Sequence, residues 1–141
     1  MIVRASHYTD YKGPWGYGNF TPRELADRHT GLLVVDTDFL DWLQAVRDLY
    51  GFPMNISSGT RTPEHQMIKS GRRTGAHVDG MAVDVLVYGE RALRLVRIVS
   101  GMGVLGLGVS QTGPIETRYL HLDRWTKAPP GTRPGLWSYA N

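Results

Sequence analysis

The chain has no cysteine among its 141 residues, which removes thiolate catalysis, disulfide staples and every Cys-based metal site. No apolar run approaches the ~18 residues of a membrane helix, so no membrane span or membrane partner is expected. Met1-Ile2-Val3-Arg4-Ala5-Ser6-His7 lacks the apolar core of a secretory signal. The expectation is therefore a protein made in the cytoplasm without a signal peptide. Charge of one sign is not in large excess either: 16 basic against 13 acidic residues leave a net charge of +3. That is an ordinary soluble surface, and with no groove-reading element in view no nucleic-acid partner is expected. Any metal must use His, Asp or Glu, and there are only five histidines.

What is present is a globular composition. Hydrophobic residues make up 41% and charged residues 21%, and 141 residues suit a single domain spanning 1–141. Residues 1–20, rich in Tyr, Gly and Trp without periodicity, predict an irregular segment draped over the core. Thr21-Pro22-Arg23-Glu24 has the form of a capping box with proline at the first helical position. Leu40, Leu43, Val46 and Leu49 form one apolar stripe of a helix over 38–50, stopped by Gly51, with Asp38 and Asp41 in its first turn. A short strand over 54–58 and a short helix from Thr62-Pro63-Glu64 to Gly71 follow, then a glycine-rich loop over 71–80. Met81–Val87 reads as a buried strand, 90–100 as a helix, and 104–110 and 118–123 as strands joined by a hairpin connection. The proline-rich tail from 125 onward predicts no regular structure. The fold class is α+β, a small mixed or antiparallel sheet packed with helices.

Two motifs are decoys. Gly101-x-Gly103-x-x-Gly106 matches a dinucleotide fingerprint, but here the predicted helix precedes it and the strand follows, the reverse of what that site needs. Gly108-Val109-Ser110-Gln111-Thr112 has Thr where a nucleophile elbow needs Gly. The informative residue is Asp84. A carboxylate inside Val83-Asp84-Val85-Leu86-Val87 costs several kcal/mol if buried unpaired, so it needs a cation, donors or a metal. His77 stands in the preceding glycine-bounded loop, and His121 interrupts the apolar pattern Tyr119-Leu120-His121-Leu122-Asp123. Two histidines and one carboxylate, with water as a fourth ligand, form a hydrolytic zinc set. The alternative is a hydrogen-bonded core histidine paired with Asp84, without metal.

These residues resemble a family. His77-x-x-Gly80-x-Ala82-x-Asp84, followed by His121-x-Asp123, is similar to the zinc peptidases of the D-Ala-D-Ala carboxypeptidase type, peptidase family M15, whose fold is shared with the hedgehog signalling domain. Ser57-Ser58-Gly59-Thr60-Arg61-Thr62-Pro63-Glu64-His65 resembles that family's Ser-Gly-x-Arg-Thr segment, and Phe20-Thr21-x-x-Glu24-Leu25 and the helix 38–50 follow the order of its small members. The resemblance spans about residues 19–125. It implies that His77, Asp84 and His121 hold Zn2+ and that Arg61 polarises the scissile carbonyl, a neutralising partnership with Asp84 being the alternative for Arg61. His65, just beyond Arg61, is either near the site or a packing residue. Asp123 shares strand parity with His121 and is read as orienting a ligand or as the base.

Two departures stand out. Many members carry an acid three residues before the last zinc histidine as general base, where this chain has Arg118; Glu116 and Asp123 are the nearby substitutes. Many carry Ser two residues before the first zinc histidine, where this chain has Gly75, a change that favours an endopeptidase over an enzyme gripping a free C-terminus. Lys69, Arg72 and Arg73 flank the site loop, facing either an anionic wall polymer or solvent. The expected protein is a monomeric zinc peptidase acting on peptidoglycan peptides at the cell wall, of the phage or prophage endolysin type. The rival is a catalytically weak zinc-containing cell-wall-binding module of the same fold.

Overall fold

The helix signals resolve into four α-helices in a computed structural model, which describes residues 1–139. Helix α1 (Pro22–Leu25) carries the capping box: Thr21 Oγ1 accepts from Glu24 N and the Glu24 carboxylate accepts from Thr21 N. Helix α2 (Thr37–Tyr50) is capped by Asp36, whose carboxylate accepts from the backbone of Asp38 and Phe39, and it ends at Gly51 in the left-handed region (φ +81°). Helix α3 (Pro63–Ser70) repeats the design with Thr62 as cap and Gly71 as stop. Helix α4 is Gly89–Gly101. Leu49, placed in the apolar stripe by spacing, is 60% exposed, and Tyr50 fills the core in its place.

Seven strands form two sheets among the described residues. Two of them correct the sequence reading of the N-terminal third: β1 (Ile2–Ala5) pairs antiparallel with β2 (Leu33–Asp36), so the chain begins with a ladder and not with irregular coil. The larger sheet contains β3 (Asn55–Ser58), β4 (Ala82–Leu86), β5 (Gly106–Ser110), β6 (Tyr119–Asp123) and β7 (Gly135–Ser138) in the order β3-β4-β6-β5-β7. All neighbours are antiparallel except β5 and β7. Strand β7 is the second correction, since the proline-rich tail returns to the sheet edge through Gly135 N donating to Leu105 O. The expected α+β architecture, a mixed sheet with helices, is the one observed.

Strand alternation divides the sheet into two faces. Val83, Val85, Leu120 and Leu122 point into a core shared with Leu40, Leu43 and Val46 of α2 and Leu95 and Val99 of α4, all buried. The opposite parity carries Asp84, His121 and Asp123. Cross-strand register sets Ser58, Asp84, His121, Gly108 and Trp137 on one continuous rung across all five strands. The polar interruptions in two apolar strands are therefore neighbours by construction.

Candidate metal centre and its cleft

His77 is brought to Asp84 by the loop before β4. Gly80 closes that loop at φ +71°, with Val34 O so near that any Cβ would collide with it. Gly80 O in turn accepts from Asp36 N. His77 Nδ1 lies 2.7 Å from the carbonyl oxygen of Gly59. A carbonyl only accepts, so Nδ1 carries the proton and the Nε2 lone pair is left facing Asp84 Oδ1 at 3.4 Å.

His121 is the mirror case. Its Nε2 donates to Asp123 Oδ2 at 2.7 Å, which turns Nδ1 toward Asp84 Oδ1 at 3.1 Å. Three acceptors thus converge: His77 Nε2, Asp84 Oδ1 and His121 Nδ1, all on buried residues and within 4.8 Å of one another. Lone pairs and an anionic oxygen repel at that distance unless a proton or a cation sits among them. Without metal, a proton answers. Burial opposes the charged form of His121, but hydrogen bonds to Asp123 and Asp84 outweigh it and raise its pKa above the usual value. Burial keeps His77 below its usual value. Asp84 stays ionised well below the ordinary carboxylate range, because the two imidazoles overcome the burial penalty.

The donor set fits zinc. Zn–N bonds of about 2.0–2.1 Å place tetrahedral donors some 3.3 Å apart, close to the 3.4 Å and 3.1 Å that separate Asp84 Oδ1 from the two imidazole nitrogens, and each imidazole has an acceptor for its second nitrogen. Asp27, His29 and His65 also bring donor atoms within 4.8 Å, yet they fit poorly. The His29 and His65 rings stack at 3.9 Å and 21°, so their in-plane lone pairs run side by side instead of meeting at a point. Asp27 is saturated by His29 N, Thr30 N, Thr30 Oγ1, Thr62 N and His65 Nδ1. That second cluster is a structural junction, and it places His65 in a packing role away from the cleft.

Arg61 follows β3 and is held in three directions: Nε donates to Ser58 Oγ, Nη1 to Gln66 Oε1 and Nη2 to Asp84 Oδ2, each at 3.0 Å. It makes the ion pair of the neutralising alternative while still lining the cleft. Asp123 is fully buried behind His121, where burial is outweighed by His121 and Arg133 so that its pKa falls to about 2. Its oxygens are occupied by His121, Trp125 N and the Arg133 fork. Glu116 sits exposed on the 3₁₀ turn Ile115–Thr117 and is not among the residues lining the cleft.

The cleft measures about 420 Å³. Lys69, Arg72 and Arg133 give it a cationic rim and Tyr119, Trp125, Trp137 and Tyr139 give it aromatic walls; Asp84 is its one lining carboxylate among the described residues. Arg73 points away to an exposed pair with Glu64 at 2.9 Å. Gly75 also lines the cleft, and a Cβ there would stand 2.9 Å from Gln66 Nε2, so Gln66 fills the space a side chain at 75 would take. Arg133 and the aromatic pair Trp137 and Tyr139 escaped the sequence reading. The one signal for Arg133 was that Asp123, a carboxylate in an apolar strand, needs a partner; no local pattern marked the two aromatics.

No curated protein and no solved structure matches the chain. A family model described as Peptidase M15 matches residues 18–123. That match covers well over half of the sequence and includes His77, Asp84 and His121, and the chain accordingly belongs to the peptidase M15 family of zinc-dependent metallopeptidases.

Proposed function

We propose that the protein hydrolyses amide bonds in peptidoglycan peptides, as an endopeptidase or D,D-carboxypeptidase, and serves as a phage or prophage lysis enzyme acting at the cell wall. One observation carries the reading: His77 Nε2, Asp84 Oδ1 and His121 Nδ1 converge on the wall of a cationic, aromatic-lined cleft. Zinc held by those donors supplies a Lewis acid and a water acidified toward pKa ~7. Arg61, fixed by three hydrogen bonds, presents a rigid guanidinium where a carbonyl oxygen gathers charge. Lys69 and Arg72 draw in the carboxylates of a wall peptide, and Trp125 and Trp137 offer flat surfaces for its backbone. Asp123 holds the imidazole of His121 in one tautomer and orientation. The Gly75–Gln66 packing supports an endopeptidase, because no side chain at 75 is available to grip a free C-terminus.

The second reading, a catalytically weak zinc-containing wall-binding module, is favoured by one feature: Arg118 stands at the general-base position and Asp84 is the one carboxylate lining the cleft among the described residues. Incubating zinc-loaded protein with purified peptidoglycan and resolving the muropeptides by mass spectrometry separates the two. New peptide termini support the peptidase. Retention on the wall with an unchanged muropeptide profile supports the module.

A further inference from the structure

The proline-rich tail reaches the centre through Arg133. Its Nε lies 3.1 Å from Asp123 Oδ1 and 3.2 Å from Oδ2, and Nη2 lies 2.9 Å from Oδ2. The guanidinium is clamped between aromatic faces, 4.8 Å from the Trp137 ring centre and 5.4 Å from that of Trp125. Nη1 is tied to Thr132 O at 3.0 Å. The glycines of β5 make room for this assembly. A Cβ on Gly106 would lie inside the Asp123 carboxylate, and one on Gly108 would stand 2.6 Å from Trp137 Nε1. The glycine spacing that mimics a dinucleotide fingerprint thus has a use of its own at Gly106.

We infer that Arg133 is a positioning residue for the metal centre, acting through Asp123 on His121; the inference rests on the zinc reading above. Asp123 is fully buried, and among the described residues its carboxylate accepts, apart from His121 and Arg133, only from Trp125 N, at 3.1 Å. Without the fork its carboxylate is a buried anion with no positive partner but His121, held by one donor at each oxygen, Trp125 N on Oδ1 and His121 Nε2 on Oδ2, so that the imidazole it orients becomes one of its two remaining anchors. The fork fixes Oδ2 opposite His121 Nε2, which fixes the imidazole plane and aims Nδ1 at Asp84 Oδ1. Outer-shell partners of this kind contribute roughly 10–100-fold to metal affinity.

The test is zinc affinity, measured on the full chain by competition with a chromophoric chelator. Arg133→Gln is expected to weaken zinc binding by ~10–100-fold. Arg133→Lys, which keeps the charge without the fork, falls between it and the original chain, and it serves as the readout should Arg133→Gln fail to fold. Asp123→Asn weakens binding as well, and adding Arg133→Gln to it produces no further loss, because Arg133 acts only through Asp123. Affinity within twofold of the original in a folded Arg133 variant overturns the inference, as do additive losses in the double variant. An original chain that takes up no zinc overturns the zinc reading itself and this inference with it.

Discussion

Asp84 accounts for most of the chemistry at the scale of single residues. One of its oxygens meets two imidazoles and the other meets Arg61, so a carboxylate lodged in an apolar strand is satisfied on both sides. Replacing Arg61 by Lys keeps a charge but can occupy only one of three positions now filled. Ser58 Oγ and Gln66 Oε1 lose their charged partner, at about 2 kcal/mol of stability, and turnover on peptidoglycan falls by ~10²-fold or more. Thermal melts and muropeptide release read the two effects separately; unchanged turnover would reduce Arg61 to a scaffold part. His121→Ala tests the other side. It removes a nitrogen donor while leaving the Asp123–Arg133 pair in place, and metal analysis after dialysis should find far less than one zinc per chain. Stoichiometric zinc in that variant would end the assignment of His121 as a ligand.

Among the elements, those with strong local patterns were readable from sequence and those defined by partners were not. Helices α2 and α3 announce themselves by cap, periodicity and glycine stop. Strand β4 shows an apolar run with one polar intruder, Asp84, and β6 alternates leucines with His121 and Asp123, so two of the three candidate donors stood out in the sequence with these strands. Strand β1 is four residues long, and β2 runs directly into the Asp36 cap of α2, leaving neither room for an alternating pattern. Strand β7 follows three prolines and is specified by parallel pairing with β5, a tertiary cause that no local pattern records. Arg133 was hidden for the same reason: its value lies in a contact with Asp123, across a segment that reads as coil. Strand β5 shows the dependence from the opposite side. Gly108→Ala should raise strand propensity, yet its methyl would stand 2.6 Å from Trp137 Nε1 and 2.8 Å from Tyr139. The collision is expected to dominate, costing about 1–3 kcal/mol in urea unfolding and changing the tryptophan near-UV signal. A stabilised variant would show that the aromatic wall yields freely.

Over the whole molecule, the N-terminal third is joined to the site-bearing sheet behind Arg61. Thr60 exchanges hydrogen bonds with both backbone groups of Val34 in β2, and Thr62 N donates to Asp27 at 3.0 Å. Arg61 is therefore braced from both neighbours by a layer that contains none of the donor trio. Asp27 is 2% exposed. Burial disfavours its charge, but His65 and the backbone N–H groups of Thr62, Thr30 and His29 more than compensate, lowering its pKa from 3.8 to about 2. A carboxylate with a depressed folded pKa stabilises the fold above its unfolded value, and that contribution is lost as pH falls toward the folded value. For Asp27 the window runs from 3.8 down to about 2, and the contribution above it is about 2 kcal/mol. Asp27→Asn should therefore unfold at lower urea than the original chain at pH 6, and the gap should narrow steadily as pH drops through that window. Because Asp27 lies outside the metal centre, the narrowing should be the same with zinc and with chelator. A gap that holds constant from pH 6 to pH 2 would show that Asp27 stabilises the junction by shape and not by charge.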